Sequence, residues 1–177
     1  MSLSLVLTVI GDDRPGLVEQ IATAISENNG NWLESSMSHL AGKFAGIVCV
    51  SIPDSQLDAV KAALEDLPGL KITSEVSKPS ATAEPAAGSR RLKLALVGHD
   101  RIGIVREVAQ VLARHAVNVE DLSTHTDSAP MAAEILFHAT AVLTASPTLD
   151  ARALTKDLEH LSNDLMVDIT LDETIRA

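Results

Sequence analysis

Gly11-Asp12-Asp13-Arg14-Pro15-Gly16-Leu17-Val18 recurs 87 residues later as Gly98-His99-Asp100-Arg101-Ile102-Gly103-Ile104-Val105. The match runs on without a gap, pairing Ala22 with Ala109, Asn31 with Asn118 and Ser36 with Ser123, which makes eight identities over positions 11 to 36. Two copies at a single offset mean a duplication rather than a solenoid. Between them lies Ser77-Lys78-Pro79-Ser80-Ala81-Thr82-Ala83-Glu84-Pro85-Ala86-Ala87-Gly88-Ser89, small residues with two prolines and no apolar periodicity. That composition reads as an extended linker and divides the chain into domains at 1–76 and 90–177.

Outward from each motif the same elements follow. Leu3, Leu5, Leu7 and Val9 alternate with their neighbours, as do Leu92, Leu94 and Leu96, and period two predicts a strand before each loop. Leu17, Val18, Ile21, Ala22 and Ile25 share one face of a helix after the first loop, as do Ile104, Val105, Val108, Ala109 and Leu112 after the second. Gly30 is expected to cap the first of these helices with a positive φ. Strands then follow at 31–40 and 44–52 around a Gly42-Lys43 turn. A helix carries Leu57, Val60, Leu64 and Leu67 inward to Pro68-Gly69, and a last strand covers 70–76. The second half gives strands near 119–127 and 133–143, a helix from about Leu149 with Leu154, Leu158 and Leu161 inward, and a strand at 165–171. The order is β-α-β-β-α-β twice. It predicts an α+β protein of two ferredoxin-like domains, each an antiparallel sheet with both helices on one face.

Composition narrows the function. The chain has 177 residues and a net charge of −10, with two Phe, one Trp and no Tyr. Both halves are acidic, at −6 for residues 1–76 and −4 for residues 90–177. A nucleic-acid binder needs a basic stripe for phosphates, and a single-strand binder adds aromatic platforms. Neither is present, so direct nucleic-acid binding is not expected. Cys49 has no partner for an intrachain disulfide and sits in an apolar run, which suits a buried thiol in a reducing compartment. The opening run 3–10 lacks a basic flank and a cleavage site and turns at Gly11-Asp12, so it reads as a strand rather than a leader. No apolar stretch approaches the roughly 20 residues that cross a bilayer. The expected setting is the cytoplasm, without membrane contact.

The loop after the first strand carries the chemistry. A loop that opens a helix presents unpaired N–H groups and the positive end of the helix dipole, which favours a carboxylate. Gly11 and Gly16 are expected to let backbone approach a ligand, and Pro15 suits the first helical turn. Asp12 or Asp13 can take an α-ammonium, and Asn31 or Asn118 offers a donor and an acceptor. Together these groups suit a zwitterion. Against this, Asp13 or Asp100 can simply cap the helix, and Arg14 or Arg101 can pair with a neighbouring acid. The six histidines, His39, His99, His115, His125, His138 and His160, show no metal-ligand spacing, and no metal or cofactor is expected. There is no Gly-x-Ser-x-Gly elbow, Walker loop or dinucleotide fingerprint. Ser35 and Ser36 are read as strand residues with no adjacent base.

The Asp-Arg-Pro-Gly loop, the downstream Asn31, Ser35-Ser36 and Gly42-Lys43-Phe44 resemble the ACT domain, the small-molecule sensing module of amino-acid metabolism. Two such units around a Pro-rich linker resemble the glycine cleavage system transcriptional repressor group. The resemblance implies amino-acid binding at a domain-domain interface, with glycine or serine as ligand. Its residues would be Gly11, Asp12, Asp13, Arg14, Pro15, Gly16, Leu17 and Asn31, with Gly98, His99, Asp100, Arg101, Gly103, Ile104 and Asn118 in the second copy. It further implies a regulator that acts on a LysR-type transcriptional activator by contact. In enzymes, ACT domains accompany a separate catalytic domain, and the two units and linker account for all 177 residues, so no enzymatic activity is expected. The alternative is a module of the same fold that binds no ligand and uses its exposed sheet edges to form homo-oligomers.

Overall fold

The computed structural model describes residues 2–77, 88–128 and 134–174. The chain divides into two compact units, residues 1–83 and 84–177. Most of the linker expected at 77–89 lies outside the described residues, as does the start of the strand expected from Ala133.

In the first unit, β1 (Ser2–Asp12) leads through the motif loop into α1 (Leu17–Glu27). Then come β2 (Asn31–Leu40), β3 (Lys43–Pro53), α2 (Leu57–Glu65) and β4 (Leu70–Ser77). The second unit repeats the series as β5 (Arg90–His99), α3 (Ile104–Arg114), β6 (Asn118–Ser128), β7 (Ile135–Ala145), α4 (Ala151–Leu165) and β8 (Val167–Thr174). The sheets are antiparallel, in the orders β2-β3-β1-β4 and β6-β7-β5-β8. This is the expected α+β arrangement of two ferredoxin-like halves.

Each core lies between one sheet face and two helices. Leu5, Leu7 and Val9 of β1 and Val48, Val50 and Ile52 of β3 meet Leu17, Ile21 and Ile25 of α1 and Val60 and Leu64 of α2, all buried. The second core repeats this with Leu92, Leu94 and Leu96, Leu143, Val108 and Leu112, and Leu154 and Leu158. The buried core residues are all aliphatic, and their burial is the main term that offsets chain entropy in units this small.

Local details depart from expectation in four places. Val18 and Val105, placed on the buried helix faces, are about half exposed at the first turns beside the loops. Ala109, also expected on that face, is exposed. At the end of α1 the left-handed residue is Asn29, with φ 56°, not Gly30. There Gly30 N–H donates to Ile25 C=O and Asn29 N–H to Ser26 C=O, a Schellman closure. The second unit makes the same closure with Ala116 left-handed and Val117 N–H donating to Leu112 C=O, so glycine is not required. Finally, α4 begins where the Asp150 carboxylate accepts from Arg152 N–H and Ala153 N–H, and it runs through Leu165, so the last strand starts at Val167.

Candidate functional site: the loops between the first strand and first helix of each unit

Both loops close in the same way. Asp13 N–H donates to Gly42 C=O, and Asp100 N–H to Ile135 C=O, each at 3.0 Å, tying the loop to the start of the neighbouring strand. The chain then turns at Gly16 (φ 89°, ψ 0°) and Gly103 (φ 94°, ψ −3°). That is the third-position geometry of a type II turn, which an L side chain resists. Pro15 therefore belongs to this turn rather than to the first turn of α1. Ile102 takes its place in the second loop and is fully exposed.

The residue that caps each helix is the glycine itself, with no side-chain hydrogen bond. Asp13 and Asp100 do not cap α1 and α3. The first-turn N–H groups are left open at the positive end of each helix dipole, which is the arrangement that accepts an anion. Asp13, Arg14, Gly16, Leu17, Val18, Glu19 and Phe44 line a shallow cleft of about 320 Å³ at this point. Within it the Asp13 carboxylate lies 3.6 Å from His39 Nε2.

The other motif side chains are divided between scaffold and solvent. Arg14 donates to Gln20 Oε1 at 3.1 Å and to Pro68 C=O at 2.9 Å, and Arg101 donates to Glu107 Oε2 at 2.8 Å. Each arginine thus buckles its loop onto the following helix. Asp12 is bound by Lys43 and opens on a separate cleft with Gly11, Gly69 and Lys71. The hydrogen bond from Lys43 and its charge hold the Asp12 carboxyl below the ordinary carboxylate range. A depressed pKa means that this pair's contribution is present above the unfolded-state pKa and is lost as pH falls through the folded-state one. An NMR titration is expected to show Asp12 ionising below ordinary aspartates and to return it to their range in Lys43→Met. His99, which replaces Asp12 in the repeat, faces Glu134 at 3.5 Å.

Three groups of expected ligand residues are placed otherwise. Leu17 and Ile104 are buried in the cores, so only their backbone faces the loop. Gly11 and Gly98 are strand residues pressed against the adjacent strand: a Cβ on Gly11 would lie 2.5 Å from Gly69 O, and one on Gly98 2.1 Å from Val167 Cγ1. Each glycine thus allows close strand packing at its position. Asn31 pairs across β3 with Ser51, which faces Ser4, whereas Asp12 pairs with Lys43. Eight strand positions, about 26 Å, separate Ser4 from Asp12. Asn118, level with Thr144 and Arg91, is equally far from His99. Within one unit, therefore, the loop and the asparagine do not meet around one small zwitterion. Val18, read from its periodicity as core, lines the cleft instead; its recurrence at Val105 was the available signal.

Residues 4–73 match the family model of the ACT domain. A structure of an unknown protein from Galdieria sulphuraria is 30% identical, with a TM-score of 0.85, over 99% of this chain and 100% of that one. The first unit of this chain is an ACT domain, and the second repeats its fold. A candidate glycine cleavage system transcriptional repressor has the same two-unit fold, with a TM-score of 0.72 over 99% of both chains, at 18% identity. A UPF0237 protein from Methanocaldococcus jannaschii is 40% identical over 53 residues, which are 30% of this chain. The chain spans about three fifths of the length of the curated relatives it matches. Among its described residues no helix is long and apolar enough to cross a membrane, and no group of three His, Cys, Asp or Glu is placed to hold a metal ion.

Proposed function

We propose that this protein is a regulatory sensor of a small free amino acid, glycine or serine, and not an enzyme. The observation that carries the reading is the uncapped helix start behind a left-handed glycine, repeated in both units. In the first unit the ligand's carboxylate takes the open N–H groups of α1, and its ammonium takes Asp13, with Glu19 on the same cleft. A small side chain suits a cleft this shallow. Asp100 holds the corresponding position in the second unit.

The output is control of transcription of glycine cleavage genes by contact with a LysR-type activator. The net charge of −10 supports a protein-mediated route, because such a chain is repelled by DNA at low salt. Calorimetry with glycine and serine is expected to give saturable heat that weakens about tenfold or more in Asp13→Asn, since charge-assisted hydrogen bonds contribute roughly 1.5–3 kcal/mol. No heat with any proteinogenic amino acid would sink the sensing reading. Specific operator binding by this protein alone in a gel shift would sink the protein-mediated route. The alternative, a ligand-free assembly module, draws support from the exposed edge strands β2 and β6. It predicts loss of assembly, with no ligand response to lose, when those edges are altered.

A further inference from the structure

On β6 and β7 of the second unit, His125 and His138 occupy directly paired positions in the register. Their imidazoles stack with ring centroids 4.7 Å apart and planes within 5°. The pair lies on the sheet face away from the helices, because the flanking residues Phe137 and Ala139 point into the core cluster. His125 is exposed and His138 half-buried. The environment of these rings differs from that of the chain's carboxylate-paired histidines. His39 faces Asp13, His99 faces Glu134 and His115 faces Asp157, whereas neither His125 nor His138 has a hydrogen bond or ion pair among the described residues. Among the described residues, the two adjacent imidazoles thus keep their ring nitrogens unengaged on an open surface.

We propose that His125 and His138 form a two-imidazole chelate for a divalent first-row transition ion, with Cu²⁺ bound most tightly and water completing the coordination. Imidazole nitrogens ligate at about 2.0–2.1 Å, so two on one ion stand about 2.9 to 4.1 Å apart between right-angled and linear geometries. The parallel rings aim their in-plane lone pairs side by side, and turning each ring by some tens of degrees about χ1 and χ2 makes them converge on one ion from the same open sheet face. The cross-strand register sets this spacing in advance, so the second ligand binds intramolecularly once the first is engaged. The order of preference follows the general affinity series for divalent ions at nitrogen sites. The acidity of the unit, net −4 over residues 90–177, adds attraction for a cation.

Titration of the intact chain with Cu²⁺ alone, followed by electron paramagnetic resonance and calorimetry, tests this. The expected result is one site whose spectrum carries hyperfine structure from two nitrogens. His125→Phe and His138→Phe, which keep an aromatic ring in the stack, should each lower its affinity on the order of a hundredfold, as loss of one arm of a chelate does. His125→Asn, with circular dichroism as a folding check, should behave likewise, and His160→Ala should leave the site unchanged. A single-nitrogen spectrum in the parent chain would overturn the proposal. So would a two-nitrogen site that survives either phenylalanine substitution.

Discussion

Ile21→Ala is expected to destabilise the first unit by about 2–5 kcal/mol. The side chain is fully buried on α1 within the cluster that contains Leu5, Leu7, Val48, Val60 and Leu64. Truncation removes apolar area and leaves a cavity that two packed layers cannot collapse to fill, so both terms act together. A unit of this size has roughly 4–11 kcal/mol of stability in total, so the loss takes a large share of it. Val18→Ala, one turn away on the same helix, is the internal control. Val18 is 47% exposed, and its loss should cost no more than about 0.5 kcal/mol. Urea denaturation of the two variants separates the cases; equal shifts in midpoint would mean that the core does not lie where α1 packs on the sheet.

The two valines also show how far the sequence could be read. Helical periodicity places Val18 and Ile21 on one stripe, and only the angle at which the loop delivers α1 to the sheet decides that one is buried and the other reaches the cleft. Strand positions were legible because alternation in Leu5, Leu7 and Val9 maps directly onto one buried face. The repeat at offset 87 gave the two-unit architecture for the same reason: it is a one-dimensional signal. The site was less legible, because its membership is set by register. Asn31 follows α1 closely in sequence, yet β2 starts at the end of the sheet opposite the loop, and no spacing rule reports that. His125 and His138 lie 13 residues apart in a pattern that matches no ligand motif, and only pairing of β6 with β7 makes them neighbours. Gly30 illustrates a different limit. The closure it was expected to provide is made by backbone hydrogen bonds that Asn29 and Ala116 also accommodate, so composition at a helix end does not identify the left-handed residue.

Gly11→Val and Gly98→Val are each expected to cost about 3 kcal/mol or more, at or beyond the upper part of the usual overpacking range. Both residues sit where β1 and β5 enter the motif loops, so their presence in the repeat invites a ligand-binding explanation. The geometry gives a mechanical one. A Cβ at Gly11 meets the Gly69 carbonyl oxygen at 2.5 Å and Leu70 Cδ2 at 2.8 Å, and a Cβ at Gly98 meets Val167 Cγ1 at 2.1 Å. At Gly11 the nearest obstacle is backbone, which yields only if β4 shifts away from β1. At Gly98 it is a β-branched side chain with little rotamer freedom. Gly16→Ala separates this role from that of the site. No atom lies closer than 3.8 Å to a Cβ there, so its cost is conformational, about 1–2 kcal/mol for an L residue held left-handed. It also disturbs the turn that leaves the start of α1 open. The valine variants should therefore lose stability out of proportion to any change in glycine or serine affinity measured on the folded fraction. Gly16→Ala should lose affinity out of proportion to its smaller loss of stability. Thermal unfolding and calorimetry on the three variants give both quantities, and the opposite ranking would place Gly11 and Gly98 in the binding site.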